Sequence, residues 1–416
     1  MKKFILTITG VGLFALLTWC FTGSPIPTQG TETTTVSENT VTTTSETTST
    51  DITTSTSHSS NPIYSTSDLF TDRDLKQEVD LDDATYYTVE DGKDITISKE
   101  GTYVIQWEAK EVTISVEVWE DEKVQLVLDW VSISNTNAPC IYVKQADKVF
   151  ITTTNSENNL EVTWEFVDDW EVNTNWVIFS KDDLSLNWVW SLNITSTKNG
   201  IVSKDDLKIT WGSYTITASK KAIDANDSIR IMDWEFILNA GTDGLHAENN
   251  DDDSLGYIYI GWGSFNITVW DDAIHWVSNI QIDDGDINIT WAEGIEGTYI
   301  QINWWNIKIN ATDDWINAAH KSDSIETAFE INWGYVSIIM WEWDTDWVDS
   351  NWNLYIYWWT LDISARSPAD YDWSVIYSWG TLIIDGTEYD YVPNQMMWGR
   401  WWNMWGMMNW RGWFRN

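Results

Sequence analysis

The sequence predicts an all-β fold: a single right-handed parallel β-helix, or solenoid, of about ten coils of roughly 22 residues. Three observations predict it. Short segments recur along the chain, so that Ser-Lys-Asp-Asp-Leu at residues 180–184 returns at residues 203–207. Apolar and polar residues alternate within these segments, as they do in strands with one buried face. Amphipathic helical periodicity is absent from the array.

The repeat unit is defined by its opening position, where glycine, alanine or tryptophan precedes a short segment containing Ile, Leu or Val. These openings are residues 200, 222, 244, 273, 294, 315 and 347, with spacings of 22, 22, 29, 21, 21 and 32. The long spacings contain insertions at residues 249–255 and 319–328. Three short strands fit a unit of this length, whereas a propeller blade needs about 40 residues.

The N-terminus resembles a bacterial export signal. Lys2 and Lys3 precede an apolar run at residues 4–18, which is shorter than the roughly 20 residues of a membrane-spanning helix. The run ends in Leu-Thr-Trp-Cys, and glycine at position 19 would make this a lipobox with Cys20 as the lipidated cysteine. We therefore expect residues 1–19 to be a lipoprotein-type signal peptide and the protein to be exported and lipid-anchored at the cell surface or the outer face of the cytoplasmic membrane. Plain secretion is the alternative.

Composition divides the remaining chain. Residues 20–66 are rich in Thr and Ser and are expected to form a disordered tether, because they have too few apolar side chains to offset the entropy of ordering. Residues 67–110 are the predicted N-terminal β cap, which an open solenoid end requires. Residues 111–392 are the predicted β-helix. Residues 393–416, rich in Met, Trp, Gly and Arg, are expected to be a disordered tail.

Charge excludes one class of partner. The formal net charge is −41, and nucleic-acid binding requires a basic surface. The carboxylates either form a solvated, repulsive surface or are gathered to hold hard cations. With Cys20 lipidated, Cys140 has no partner for a disulfide, and its strand-like surroundings predict a buried, unreactive thiol. We expect a monomer.

The chain contains 33 tryptophans, and many stand where a turn needs glycine. Aligning the repeats gives a turn column of Gly212, Trp234, Gly263, Gly285, Trp305, Gly334, Trp359 and Gly380. Glycine suits such turns because it reaches positive φ without a Cβ clash, and tryptophan is the bulkiest side chain. The hypothesis is that these tryptophans are UGA codons that the source organism reads as glycine. A tryptophan surface for stacking sugars is the alternative.

Acidic residues flank the same opening position in successive repeats. The proposed Ca²⁺ ligands are Asp224, Asp243, Asp272, Glu293, Glu296, Asp314, Asp346 and Asp349. Equivalent positions of a parallel β-helix lie one above another, and closely spaced carboxylates repel unless a cation lies between them. Ca²⁺ prefers clusters of oxygen ligands. The alternative is solvated acidic turns that bind nothing, and His246 and His275, in one column, are expected to be structural.

The array resembles the bacterial carbohydrate-binding domain-containing proteins, a calcium-associated right-handed β-helix with the shape of pectate lyases. The resemblance covers about residues 90–390 and rests on residues 141–144 (Ile-Tyr-Val-Lys), 200–207, 243–247, 254–260, 272–275, 293–297 and 346–350. It departs from the family pattern at tryptophans 211, 234, 262, 304, 305, 333, 358 and 359. The resemblance implies binding of plant-wall polysaccharide, either cellulose or acidic pectin-like chains, with Ca²⁺ as cofactor.

So acidic a protein repels a polyuronate unless a cation bridges the two. A neutral glycan would instead need exposed aromatic side chains, and only scattered tyrosines remain once the doubtful tryptophans are set aside. We therefore predict an acidic polysaccharide bound through Ca²⁺. The candidate sugar-contacting residues are Lys220, Lys221, Lys321 and Arg366. A polysaccharide lyase is one alternative, because these residues and Arg230 could act as a base, but no pattern specifies one. A calcium-stabilised adhesin is the other alternative. We predict a binding protein without enzymatic activity.

Overall fold

The computed structural model describes residues 62–393 apart from residues 168–173, 291–292, 312–313, 341–347, 351–352, 365–369, 372–373 and 379. The chain divides into two compact units, Met1–Ser57 and His58–Asn416, and every described residue belongs to the second. The predicted signal peptide, Cys20, most of the tether and nearly all of the predicted tail lie outside the described residues. No helix in the described ranges is long and apolar enough to cross a membrane.

The described chain is almost entirely β-strand, with one short helix, α1 (Thr66–Leu69). The first twelve strands are β1 (Thr85–Thr88), β2 (Ile95–Ile97), β3 (Gly101–Lys110), β4 (Ile114–Glu117), β5 (Lys123–Asn135), β6 (Ile141–Gln145), β7 (Lys148–Thr153), β8 (Glu157–Val162), β9 (Trp176–Ser180), β10 (Asp183–Leu186), β11 (Val189–Ser196) and β12 (Asn199–Ser203). The next twelve are β13 (Asp206–Ile209), β14 (Gly212–Ala218), β15 (Ile223–Ala225), β16 (Ser228–Ile231), β17 (Glu235–Ala240), β18 (Leu245–Ala247), β19 (Tyr257–Ile260), β20 (Ser264–Thr268), β21 (Asp272–Trp276), β22 (Asn279–Ile282), β23 (Asp286–Thr290) and β24 (Glu293–Gly297). The last twelve are β25 (Tyr299–Ile302), β26 (Trp305–Ala311), β27 (Ile316–Ala318), β28 (Ala328–Ile331), β29 (Gly334–Met340), β30 (Val348–Ser350), β31 (Asn353–Ile356), β32 (Trp359–Ser364), β33 (Asp370–Tyr371), β34 (Ser374–Tyr377), β35 (Thr381–Ile384) and β36 (Thr387–Tyr389).

The strands pair in parallel in three ladders, in which partners are two apart in the chain at the N-terminal end and three apart from β6 onward. The first ladder is a 12-stranded sheet, β2-β4-β6-β9-β12-β15-β18-β21-β24-β27-β30-β33. A 24-stranded sheet holds the second ladder, from β7 through β10, β13, β16, β19, β22, β25, β28 and β31 to β34, and the third, from β8 through β11, β14, β17, β20, β23, β26, β29 and β32 to β35. The predicted all-β chain of long parallel sheets, the arrangement expected of a β-solenoid, is therefore confirmed.

The core consists of columns of identical or similar apolar side chains that run from coil to coil. On the first ladder the column is Ile201, Ile223, Leu245, Ile274, Ile295, Ile316 and Val348. On the second ladder it is Leu184, Leu207, Ile229, Ile258, Ile280, Ile300, Phe329 and Leu354. These side chains are buried. Burial of each contributes roughly 1.5–3 kcal/mol, so the stacked columns hold the ladders together. Cys140 belongs to the same core.

The predicted domain boundaries and the observed elements differ at the N-terminal end. The parallel pairing of β1 with β3 and of β3 with β5 already begins inside the segment expected to be a cap. Residues 63–76 cross the outer face of the second ladder, although residues 63–66 fall within the predicted tether; Ile63, for example, donates from its backbone N–H to Gln301. The sequence did not predict this, because the contact joins residues 238 positions apart.

The predicted turn column is aligned across the third ladder. Gly334 pairs with Trp305 on one side and with Trp359 on the other. Four of its five glycines, Gly212, Gly263, Gly285 and Gly334, have positive φ between 134° and 153°, and Trp234 in the same column has φ 109°. A Cβ at Gly285 would lie 2.3 Å from the carbonyl oxygen of Gly263. The column is thus a place where the backbone conformation and the close approach of neighbouring coils both favour glycine.

Candidate functional site

Two columns of polar side chains run along the first ladder, and we call them together the carboxylate edge. One column is Asp243, Asp272, Glu293 and Asp314, each preceding an opening position. The other is Asp224, His246, His275, Glu296, Asn317 and Asp349, paired residue by residue. Side chains at equivalent positions of parallel strands share a face. In the second column each polar residue directly follows a buried Ile, Leu or Val, so its side chain points away from the core.

Two groups on the carboxylate edge bring possible metal ligands together. The ligand atoms of Asp272, Glu293 and Glu296 lie within 4.8 Å of one another, and so do those of Asp243, Asp272 and His275. The first group offers only carboxylate oxygens, which suit a hard cation such as Ca²⁺. The second includes an imidazole nitrogen, a ligand more typical of transition metals. Asp272 belongs to both groups and is buried.

Asp272 has one oxygen engaged and one oxygen open. Its Oδ2 lies 2.7 Å from Nδ1 of His275, while its buried Oδ1 has no hydrogen-bond partner among the described residues. Burial opposes protonation of His275, but the hydrogen bond and charge of Asp272 outweigh it and raise the histidine pKa. Burial also raises the pKa of the Asp243 carboxyl. A buried carboxylate oxygen without a partner is costly, and a bound cation would satisfy it.

Two lysines reach the carboxylate edge and offset part of its charge. Lys221 Nζ lies 3.6 Å from Asp224 Oδ1 and 3.8 Å from Asp243 Oδ2. Lys321 Nζ lies 2.9 Å from Glu296 Oε1 and 3.1 Å from His275 Nε2. Both were predicted to contact sugar, and the structure places them beside the proposed cation ligands. Lys220 is exposed and lines a shallow cleft with Lys221 and Asp243.

The remaining predicted ligands lie outside the two groups. Asp224 is buried and accepts a 2.6 Å hydrogen bond from Nδ1 of His246. Asp314 and Asp349 are half-buried in the same two columns. Asp346 and Arg366 lie outside the described residues. The structure therefore brings together Asp243, Asp272, Glu293 and Glu296 out of the predicted set.

The insertion at residues 249–255 folds against the later insertion beside this edge. Asp253 Oδ2 accepts hydrogen bonds from the hydroxyls of Ser322 and Ser324 at 2.8 and 2.7 Å. Residues 249–253 line a cleft together with Val277 and Lys321. This acidic loop is next to the carboxylate edge, as its position in the repeats predicts.

Sequence reasoning missed the part that His275 and Lys321 play at the edge. His275 was expected to be a structural imidazole stacked on His246, and their ring centroids are indeed 5.1 Å apart. His275 also lies 3.7 Å from Glu296 and belongs to a group of possible ligands. Its column position, directly between His246 and Glu296, was the signal available in the sequence.

Tryptophans form exposed stacks on another face. Trp304 and Trp333 stack at 5.6 Å, and Trp333 and Trp358 at 5.7 Å. Trp304 and Trp333 line an open cleft with Trp262, Tyr335, Asp284 and Asp286. If tryptophan is the natural residue at these positions, the exposed rings form a platform for stacking sugar rings.

Comparison with known proteins identifies the family to which the chain belongs. A family model described as "Carbohydrate-binding domain-containing protein" matches residues 91–344. A protein of the same description from Acetivibrio thermocellus is 30% identical over 202 residues, which cover 48% of this chain and 71% of that protein. A solved structure described as the polysaccharide lyase-like protein from C. thermocellum, gadolinium derivative, is 28% identical, with a TM-score of 0.48, covering 53% of this chain and 96% of that one. The chain belongs to the carbohydrate-binding domain-containing protein family.

Proposed function

We propose that the protein binds an acidic, pectin-like polysaccharide through Ca²⁺ held at the carboxylate edge. The observation that carries the proposal is the group of Asp272, Glu293 and Glu296, whose ligand oxygens lie within 4.8 Å of one another. In addition, one oxygen of Asp272 is buried and has no hydrogen-bond partner among the described residues. Ca²⁺ accepts such carboxylates together with sugar oxygens. Family membership supports a polysaccharide as the ligand.

The net charge explains why the cation matters. With −41 charges the protein repels a polyuronate. Ca²⁺ shared between Glu293 or Glu296 and a sugar carboxylate would replace that repulsion with coordination. Lys220 and Lys221, beside Asp243, are positioned to add direct contacts to sugar carboxylates. Cellulose, a neutral chain, would gain nothing from this bridge.

Retention on immobilised polygalacturonate tests the proposal. We expect the protein to be retained in millimolar Ca²⁺ and to elute when EDTA is added. Glu293→Gln removes a ligand and lowers retention at least tenfold. Glu117→Gln, an exposed carboxylate on the same ladder but far from the cluster, is the matched control and retains normally. Retention that EDTA leaves undiminished would contradict the proposal.

We further propose that this binding is not accompanied by lyase activity. A lyase needs a base free to reach the substrate, and Lys221 and Lys321 are each engaged with a carboxylate, at 3.6 Å from Asp224 and 2.9 Å from Glu296. Arg230 pairs with Asp206 at 2.7 Å. Incubation with polygalacturonate should release no unsaturated product absorbing in the ultraviolet. Such a product, lost in Arg366→Ala, would favour the lyase instead, and a glycan array blank for every sugar would favour an adhesin.

Two further proposals concern how the ladders are joined and where the protein is located. We propose that the three ladders form one right-handed parallel β-helix. This is the hand that right-twisted parallel strands favour in crossover connections.

We also propose that the chain is exported and anchored by lipid on Cys20. Mass spectrometry of the N-terminal peptide from native membranes would detect the diacylglyceryl group, and Cys20→Ser would release the protein into the medium.

We infer that the natural protein carries glycine at the tryptophans of the turn column. Trp234 at φ 109° lies among glycines at φ 134° to 153°, a region that a residue with a Cβ rarely occupies. Trp359 is 3% exposed, and its buried Nε1 has no hydrogen-bond partner among the described residues. UGA codons at Trp234, Trp305 and Trp359, with glycine in the native protein by mass spectrometry, are the expected result; UGG codons would end the idea. If the stacked Trp304, Trp333 and Trp358 are decoded as glycine in the same way, no tryptophan platform for cellulose remains.

A further inference from the structure

Residues 63–76, which we call the N-terminal strap, lie along the outer face of the second ladder. At one end the backbone N–H of Ile63 donates to Gln301 Oε1 on β25 at 3.2 Å. At the other end the Asp74 carboxylate meets Lys148 on β7. Six strand-to-strand steps separate β7 from β25, which is about 29 Å at about 4.8 Å per step. The strap therefore fills a long groove parallel to the stacking direction.

Ladder side chains hold the strap by its backbone. Gln281 accepts from the N–H of Tyr64 at 2.5 Å and donates to its carbonyl oxygen at 3.0 Å. Arg230 donates to the carbonyl oxygen of Leu69 at 3.2 Å. The hydroxyl of Thr210 donates to the carbonyl oxygen of Asp74 at 2.8 Å. These donors and acceptors come from side chains that project from the ladder, so they suit any extended chain with hydroxyl and carbonyl oxygens, not only a peptide strand.

Aromatic stacking adds a second recognition element. The ring of Tyr64 stacks on Tyr257 with centroids 4.6 Å apart and an interplanar angle of 22°. Phe70 packs edge-on against Tyr259 at 6.1 Å. A tyrosine face that receives a flat apolar ring also receives the apolar face of a pyranose. Beneath the strap the groove thus offers stacking surfaces as well as hydrogen bonds.

Asp74 supplies a carboxylate to two lysines at one end of the groove. The carboxylate of Asp74 is fully buried and lies 3.2 Å from Lys148 and 3.5 Å from Lys208. The ladder supplies three cations here, Lys148, Lys208 and Arg230, and pairs two of them, Lys148 with Asp183 and Arg230 with Asp206. Among the described residues, the one salt bridge of Lys208 is with Asp74, so without Asp74 this lysine lacks an ion-pair partner. A buried unmatched charge is costly, so the groove selects a carboxylate at this point.

We propose that the groove under the N-terminal strap is a second binding site for uronic-acid polysaccharide, and that the strap closes it as a built-in competitor. Asp74 occupies the position of a sugar carboxylate, and Tyr64 occupies the position of a stacked sugar ring. The proposal rests on the proposed function for the class of ligand, but it needs no Ca²⁺. The proposal also does not depend on how UGA codons are read, because none of the groove residues named is a tryptophan.

Cleavage of the connection to the strap tests this site. A protease site inserted in the exposed stretch at residues 80–83 allows the strap to be cut from the folded, full-length protein. Binding of a defined oligogalacturonide is then measured by calorimetry in EDTA, which silences the carboxylate edge. We expect at least tenfold tighter binding after cleavage, and the oligogalacturonide should displace a fluorescently labelled strap that stays bound. A cellulose oligosaccharide of equal length should do neither.

Two variants separate recognition from loss of fold. In the cleaved protein, Lys208→Met and Tyr257→Ala should each reduce oligogalacturonide binding at least tenfold, while an unchanged circular dichroism spectrum shows that the ladders persist. A synthetic peptide of residues 62–76 should compete with the sugar, and Asp74→Asn in that peptide should weaken the competition.

Several results would overturn the proposal. One is a released strap with no sugar binding in EDTA; another is binding that both variants leave intact. Dimers in which the strap of one copy fills the groove of another, with no sugar affinity, would assign the groove to self-association. Retention that depends on calcium, without any binding in EDTA, would contradict the groove proposal and leave the carboxylate-edge proposal standing. Binding in EDTA without calcium-dependent retention would contradict the carboxylate-edge proposal and leave the groove proposal standing.

Discussion

Asp272 is central to the carboxylate edge because both groups of possible ligands include it. Its Oδ2 is fixed by His275 at 2.7 Å, and its Oδ1 is buried without a partner among the described residues. Ion pairing between Lys321 and Glu296 next to it shows a second way in which the same edge offsets charge. At this scale, the arrangement of single oxygens decides whether an acidic column is merely solvated or can coordinate a cation.

Asp205 gives a pH prediction on a separate part of the surface. Burial and the nearby carboxylates of Asp183, Asp227 and Asp206 raise its pKa from 3.8 to about 6. The folded state therefore binds more protons than the unfolded state in this range, and the free energy of unfolding falls as pH rises from 3.8 through about 6. Asp205→Asn should flatten this fall in denaturant titrations made at several pH values. Asp82→Asn, at an exposed site, should leave it in place.

Trp234 gives a prediction about backbone strain. Its φ of 109° is unfavourable for any residue with a Cβ, so Trp234→Gly should raise the free energy of unfolding by about 1–3 kcal/mol. Protein made from genes with unambiguous codons can be compared by urea denaturation. Trp164→Gly is the control, since Trp164 is also exposed to solvent, at 68% against 38% for Trp234, and has no positive φ. A loss of stability in Trp234→Gly would contradict the glycine assignment.

The ladder is the unit of organisation at the next scale. Each strand is only a few residues long, and its stability comes from parallel pairing with the coils before and after it and from one or two buried side chains in the stacked core columns. The strap is held differently, since its backbone is bound by ladder side chains. Strands that form the core and a segment that lies over them therefore differ in how easily they can be detached.

Ile280 measures the contribution of one core column. It is fully buried between Ile258 and Ile300 in the second ladder, so Ile280→Ala should lower the free energy of unfolding by about 2–5 kcal/mol through lost burial and a cavity. Ile237, on β17, is 38% exposed, and Ile237→Ala should cost less than about 1 kcal/mol. Chemical denaturation of the two variants checks the difference. Equal losses would mean that the column is not tightly packed.

The whole molecule carries a charge that works against its own compactness. At −41 the carboxylates repel one another, and the candidate cation ligands bring several of them within 4.8 Å of one another. Cations bound at the carboxylate edge would thus serve the fold and the binding of an acidic polysaccharide together.

Calcium should therefore stabilise the folded protein beyond simple screening. At a hundred times its Kd, one bound Ca²⁺ raises the free energy of unfolding by about 2.7 kcal/mol. Calorimetric scans in CaCl₂ and in NaCl of equal ionic strength separate binding from screening. Asp272→Asn should lose the additional increase and keep the part due to salt. Identical melting temperatures in the two salts would argue against a specific site.

Much of the fold could be predicted because the sequence repeats with a regular period. The 22-residue spacing and the alternation of apolar residues predicted parallel strands that recur in register, and pairs such as Asp272 with Glu293 lie where that spacing puts them. The strap could not be predicted in this way. Ile63 and Gln301 are joined by no repeat and no local pattern, and Lys148 and Lys208 read as ordinary solvent-facing residues until Asp74 is placed between them.

The sequence by itself determined the all-β class, the stacked core columns and the line of carboxylates, because a repeat fixes which residues become neighbours in successive coils. Only the tertiary structure decided which of those carboxylates converge within coordination distance, that Lys321 and His275 stand among them, and that the N-terminal strap fills a groove. Those outcomes depend on contacts between segments far apart in the chain, and their geometry is set by how the coils pack, which no local pattern records.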